Sequence, residues 1–321
     1  MTFVRLGYVA MSLKVPNSSP SQTMTIKNFS KIENENAAIL KLERITRSNL
    51  HNTLRILRHN AAHDIQFYRM TSRLVPLATF EGLPDWDYMA AIVDSLEEIG
   101  KFVAEKEMRV DFHPDHFVLI NSPKNEVLKM TVKTLILHKR LLEGMNIDPK
   151  HRCVLHIGGV YGDRVLALER FIQNWMLIPT SIQNMIILEN DDKSFHFEDT
   201  LYLCEKLGIP LVFDYHHHLA HHENKHWEAQ WDRIVNTWSP SPLPVKMHIS
   251  SPKNEKQFRA HSDFVDVEMF MDFLNEIKGS VDQIDCMIEA KRKDEALFKL
   301  MKDLKQYDHI EINDGASFYI K

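Results

Sequence analysis

Met185-Ile-Ile-Leu-Glu189 and Pro210-Leu-Val-Phe-Asp214 flank a stretch of helical period at Phe197–Leu207. Each flanking run is apolar at successive positions until it meets a carboxylate. Continuous apolar runs of this length suit strands covered on both faces, the situation in a parallel sheet with helices packed on it. The block therefore reads as a strand–helix–strand unit with an acidic group at the C-terminal end of each strand.

The same rhythm extends in both directions. Strands are predicted near Phe3–Val9, Ile65–Met70, Arg109–Phe112, Val154–Ile157, Asn184–Leu188, Pro210–Phe213, Val245–Ile249 and Ile284–Ile288. Helices are predicted over Leu40–Asn60, Asp87–Lys106, Glu126–Gly144, Asp163–Met176, Phe197–Leu207, Trp227–Trp238, Val267–Ile277 and Lys293–Tyr307. Eight alternating units place the chain in the α/β class as a (β/α)8 TIM barrel. No linker rich in Gly, Pro or Ser divides it, so residues 1–321 are expected to form a single domain. Met11–Asn36 is polar and strandless, which suits an active-site loop or arm.

Composition narrows the class. With 44% hydrophobic and 26% charged residues, the chain is neither fibrous nor disordered. A formal net charge of -5 argues against a strongly basic nucleic-acid coat protein. It leaves nucleic acid open as a substrate, because bound cations would add charge where carboxylates subtract it. No run approaches the length of apolar residues that spans a bilayer, so no membrane partner and a cytoplasmic location are expected. Cys153, Cys204 and Cys286 are widely spaced in apolar contexts and read as reduced thiols.

Ionisable residues gather at the predicted strand ends. His113, His156, Glu189, Asp214, His248 and Glu289 belong to six different strands, and a barrel brings its C-terminal strand ends to one mouth. A single such residue is often just a satisfied polar group; six, each after an apolar run, point to divalent metal binding, since an unpaired buried carboxylate is costly. A His, Asp and Glu set without Cys suits manganese or zinc. His217, three residues beyond Asp214, and His261 extend the set to eight, enough for two or three ions. His216, His218, His221 and His222 read as supporting or solvated residues, with His218 the best of them as a further ligand.

Lys246 shares a strand face with His248. Beside metals it must contact substrate phosphate, lose its proton, be covalently modified, or reach a carboxylate such as Glu289. The pentapeptide Ser-Pro-Lys-Asn-Glu occurs at Ser122–Glu126 and again at Ser251–Glu255. Helix capping is the favoured reading; contact of Lys124 and Lys253 with backbone phosphates is the alternative.

The chain resembles the UV damage endonucleases. The landmarks are Arg5-Leu-Gly-Tyr-Val9, Leu74-Val-Pro-Leu-Ala78, Phe112-His-Pro114, Leu155-His-Ile-Gly-Gly-Val-Tyr-Gly162, Leu188-Glu-Asn-Asp-Asp-Lys193, Phe213-Asp-Tyr-His-His217, Lys246-Met-His-Ile-Ser-Ser251 and Ile288-Glu-Ala-Lys291. The resemblance implies a DNA-repair endonuclease that nicks damaged duplex DNA immediately 5′ to cyclobutane pyrimidine dimers and 6-4 photoproducts. It implies up to three metals, often manganese, on His113, His156, Glu189, Asp214, His217, His248, His261 and Glu289. Within that site Glu189, Lys246, His248 and Glu289 are the expected catalytic set, with Lys246 carboxylated. Tyr8 would line the lesion site and His116 and Phe117 would probe the gap in the duplex; core packing and loop packing are the structural alternatives for Tyr8 and Phe117. A monomer is expected.

Two departures qualify the match. Ala78-Thr79-Phe80 carries Phe where relatives usually have His, and His116 stands where they commonly have Gln. A sugar isomerase or epimerase barrel, which needs fewer ligands, and a lesion-binding barrel with impaired catalysis are the competing expectations.

Overall fold

Alternate residues of each apolar run face opposite sides of a sheet, and in this chain one side closes on itself. The computed structural model describes residues 1–83 and 86–321. The strands β1 (Thr2–Val9), β2 (Phe67–Met70), β3 (Arg109–Phe112), β4 (Cys153–His156), β5 (Ile186–Glu189), β6 (Leu211–Asp214), β7 (Val245–Ile249) and β8 (Gln283–Ile288) pair in parallel, each with the next. β1 pairs with both β8 and β2, so the barrel is closed. Its outer layer is α1 (Glu35–Ala62), α2 (Tyr88–Glu105), α3 (Asn125–Gly144), α4 (Arg164–Trp175), α5 (Phe197–Leu207), α6 (Trp231–Asn236), α7 (Val267–Ile277) and α8 (Lys293–Leu304). Among the described residues no helix is long and apolar enough to cross a membrane.

Three elements depart from the sequence expectation. Trp227–Trp238 is not one helix: a 3-10 turn at Glu228–Gln230 precedes α6. Lys293–Tyr307 stops at Leu304. Beyond it lies an unforeseen hairpin, β9 (Ile310–Ile312) and β10 (Ser317–Ile320), whose second strand runs antiparallel to the start of β1. The polar arm contains a short helix, Ile26–Phe29, and its Ser12–Lys14 stretch is tied to the buried carboxylate of Asp294. All three cysteines are free and buried.

The two faces of the barrel wall differ in chemistry. Val4, Leu6 and Tyr8 of β1 join Leu50, Leu54 and Leu57 of α1 in the main core between sheet and helices. Toward the axis, Val9, Phe67 and Met287 form a small separate apolar cluster. Around it the interior is charged. Asp285 accepts from Arg5 Nη2 and Arg109 Nη1, each at 2.8 Å, and Lys246 Nζ donates to Asp111 Oδ2 at 2.6 Å with both side chains fully buried. Arg109 also lies 5.1 Å from the Phe67 ring centroid.

The Asp285 pairing has a consequence for acid stability. Burial alone pushes its carboxyl up, but Arg109 and Arg5 outweigh burial and hold it below the ordinary carboxylate range. Such a group stabilises the fold above its unfolded pKa, about 3.9, and that contribution is lost as pH falls through the lower folded value. Asp285→Asn leaves two guanidinium groups without their shared anion and is expected to lower unfolding free energy by about 3 kcal/mol at pH 7. In urea unfolding, the gap from the unmutated protein should narrow below about pH 4; a pH-independent gap would contradict this account.

Candidate metal centre

The βα units deliver donors to one end of the barrel because β3 to β6 and β8 stop at, or one residue before, an ionisable group, and β7 carries one at its penultimate position. His156, Glu189 and Asp214 are the last residues of β4, β5 and β6. The register sets His156 beside Glu189 and Asp214 beside His248. His113 and Glu289 immediately follow β3 and β8. His217 lies on a short helix, Tyr215–Ala220, whose start is capped by Asp214: Oδ1 accepts from the His217 backbone N–H at 2.7 Å. His261 arrives from the loop after β7 through a bridge to Pro252, and its Nδ1 donates to the Glu289 backbone carbonyl at 2.7 Å.

Glu189 is the hub. Its carboxylate lies 2.9 Å from His113 Nε2, 3.0 Å from His248 Nδ1, 3.3 Å from His217 Nδ1 and 3.9 Å from His156 Nε2. Three groups of donor atoms, each within 4.8 Å of one another, share it: His113 with His156, Asp214 with His217, and His248 with Glu289. Donors bound to one ion at about 2.1 Å each stand about 3 to 3.5 Å apart, so this spacing fits metal coordination. Seven of the eight expected ligands fall in these groups. His261 lies outside them but lines the same cavity of about 630 Å³ with His113, His156 and His217.

Several donor atoms also lack other occupations. Glu189 Oε1, Asp214 Oδ2 and both ring nitrogens of His248 are buried without a hydrogen-bond partner. Buried polar atoms are rarely left so, and unpartnered atoms on Glu189, Asp214 and His248 at one end of the barrel fit sites for cations. Burial pushes the Glu189 carboxyl up, but the surrounding imidazoles, His248 foremost, outweigh it and keep the group ionised. Burial also drives His113 down to about 4, so its imidazole is neutral, as a ligand must be. For His217 burial pulls down, while Asp214 and Glu189 outweigh it and raise the pKa; an ion arriving there displaces a proton.

Supporting residues that the sequence reading did not assign surround these donors. Asn190 ties β5 to β6 by accepting from the Asp214 backbone N–H at 2.9 Å and donating to its carbonyl at 3.0 Å. Arg69 Nη1 lies 2.6 Å from Glu289 Oε1. Lys246 reaches Asp111 rather than Glu289, and burial brings its ammonium down to about 8. A period of two back from His113 lands on Asp111, the one sequence signal for that partner. His216 is satisfied by Ser250 Oγ and the Phe258 carbonyl. His218 belongs to none of the donor groups; it packs against Phe197 and Phe213.

The residues expected to meet DNA divide into two sets. His116 and Phe117 form a contiguous exposed pair, ring centroids 4.0 Å apart, with Phe117 72% exposed and His116 on the cavity wall. Lys124 and Lys253 are exposed. Lys124 occupies the N-cap position of α3 without a side-chain cap, while Ser122 Oγ accepts from its backbone N–H. The second pentapeptide starts only a 3-10 turn, capped by Asn254, so the capping expectation holds in place but not in the residue that makes the cap. Tyr8 is not brought to the mouth: fully buried in the outer core, it donates to Asn60 Oδ1 at 2.6 Å. Phe80 lies on a neighbouring cleft with Arg73, Asp115 and Phe117.

Because all three donor groups share one carboxylate, Glu189→Ala should lower Mn2+ affinity at every site, by at least about 100-fold. Titration of the metal-stripped protein reads this directly. Unchanged stoichiometry and affinity would remove Glu189 from the centre.

A family model described as UV-endonuclease UvdE matches residues 4–318. The chain is 50% identical over 310 residues to the UV DNA damage endonuclease of Halalkalibacterium halodurans, with 96% of each chain covered. It is 38% identical over 313 residues to a UV DNA damage endonuclease of Bacillus cereus, with 98% of each covered. Among solved structures it is similar to SacUVDE, with a TM-score of 0.81 and 29% identity over 94% of this chain and 98% of that one. The sharing of Glu189 among three donor groups is thus found on a chain that belongs to the UV-endonuclease UvdE family.

Proposed function

We propose that this protein is a DNA-repair endonuclease that hydrolyses a phosphodiester immediately 5′ to UV photolesions, cyclobutane pyrimidine dimers and 6-4 photoproducts, in duplex DNA. The observation that carries the reading is the junction of three donor groups at one buried carboxylate, Glu189. A sugar isomerase barrel needs fewer ligands than are gathered here.

His113, His156, Glu189, Asp214, His217, His248, His261 and Glu289 would hold two or three divalent ions, of which Mn2+ is the proposed native species. Bound there, the ions would polarise the phosphate oxygens, activate water and stabilise the leaving 3′ oxygen. The chain's own part is to keep five imidazoles and three carboxylates in place. His116 and Phe117, exposed at the rim, would enter a duplex weakened by the lesion; a dimer stacks and pairs poorly, so opening it costs less than opening undamaged DNA. Lys124 and Lys253 would contact backbone phosphates as point charges. Tyr8 is left out of this contact set because its ring and hydroxyl are committed to the core. Carboxylation of Lys246 remains part of the proposal; the carbamate N–H could keep donating to Asp111 while its anion would have to face cations, and 13C NMR with labelled bicarbonate at neutral pH detects it.

Incision of a duplex carrying one thymine dimer tests the reading. A break 5′ to the dimer is expected with Mn2+ and none with chelator; Phe117→Ala should bind metal normally yet lose at least about 10-fold in preference for damaged over intact duplex, the scale of one base–aromatic contact. Binding of damaged DNA with no break under saturating Mn2+ would favour the lesion-binding reading, to which Phe80 lends weight. Turnover of a keto sugar without DNA cleavage would favour an isomerase.

A further inference from the structure

Six strands, β3 to β8, each bring a metal-type donor to the mouth, and β2 brings a cation. Arg69 is paired in register with Val9 of β1 and Asp111 of β3. Its side chain is 11% exposed and its Nη1 lies 2.6 Å from Glu289 Oε1. A guanidinium stays protonated and has no lone pair to offer a metal. Next to a cluster of divalent ions it would be repelled unless an anion stood between.

Glu289 is that anion, and it has a difficulty of its own. His248 Nδ1 lies 3.0 Å from Glu189 Oε1 and 3.2 Å from Glu289 Oε1, so two carboxylates crowd a single imidazole. In a low-dielectric site two like charges this close push each other apart. A displaced Glu289 would be spoiled as a ligand. A guanidinium bonded to one carboxylate oxygen offsets the repulsion and fixes the rotamer, while the group's roughly four lone-pair sites leave capacity for a metal.

We propose that Arg69 is a positioning residue of the metal centre, whose hydrogen bond to Glu289 holds that carboxylate facing Glu189 and His248 before any ion arrives. This rests on the reading of the mouth as a metal centre. Arg69 acts through Glu289 and takes no part as a ligand.

The test is Mn2+ titration of the metal-stripped protein, without DNA, for the unmutated chain, Arg69→Gln and Arg69→Lys. The expected result is a 10- to 100-fold loss of affinity at one site in Arg69→Gln, the scale typical of an outer residue that orients a ligand, with Arg69→Lys between the two. The other sites should change less. Equal or tighter Mn2+ binding by Arg69→Gln would overturn the proposal, as would a rise in KM for DNA with metal affinity unchanged, which would make Arg69 a phosphate contact. If Arg69→Gln does not fold, Arg69→Lys decides: binding equal to the unmutated chain overturns the proposal, and weakened binding supports it. Failure of the unmutated protein to bind Mn2+ would remove the metal reading itself, an outcome distinct from failure of the Arg69 role alone.

Discussion

A carboxylate buried at the end of β5 sets the terms for the rest of the molecule. Glu189 is 1% exposed, and an isolated anion in that position would be expelled or protonated. It is held ionised because β3, β4, β7 and the short helix after β6 each turn an imidazole toward it. None of those elements is near another in sequence. The barrel must therefore close, and close in one register, for the charge to be tolerated.

The same requirement runs down the barrel axis. Below the mouth, Lys246 meets Asp111 and, in a further pairing, Asp285 meets Arg5 and Arg109, with the small Val9, Phe67 and Met287 cluster as the apolar part of the interior. Each charge meets an opposite one on a neighbouring or opposing strand, Asp285 being shared by two guanidinium groups, so the interior is a set of ion pairs rather than an oily plug. Buried pairs of this kind seldom add net stability over apolar packing, and removing one partner is strongly destabilising. Their value here is positional: they fix the strands that carry His113, His248 and Glu289. Apolar packing, which supplies most of the stability, lies outside the barrel wall against the helices.

How much of this was legible beforehand can be judged residue by residue. The eight strands were readable from apolar runs, and β3 and β7 have the predicted bounds. β5 and β6 each run one residue past the expected end because Glu189 and Asp214 are themselves the last rungs of their ladders, whereas β4 stops at His156, one residue short of the expected Ile157. The hairpin after α8 escaped because it departs from the βα rhythm and pairs with residues at the other terminus. Tyr8 shows a different limit. On β1 the axis-facing residues are Arg5 and Val9, so Tyr8 faces the helices, an assignment that alternation gives only after one residue's side is known.

Sequence by itself determined the rhythm of strands and helices and the inventory of donors at the strand ends, because periodicity and the βα unit are local properties of the chain. Which residues meet was decided by tertiary structure. Closure brings residues more than two hundred positions apart within bonding distance, as Arg69 and Glu289 are. That separation is why the sequence offers Lys246 a carboxylate partner without deciding between Asp111 and Glu289, and why it does not single out Arg69. A charge's partner depends on barrel register, and register is fixed by the whole ring of strands at once.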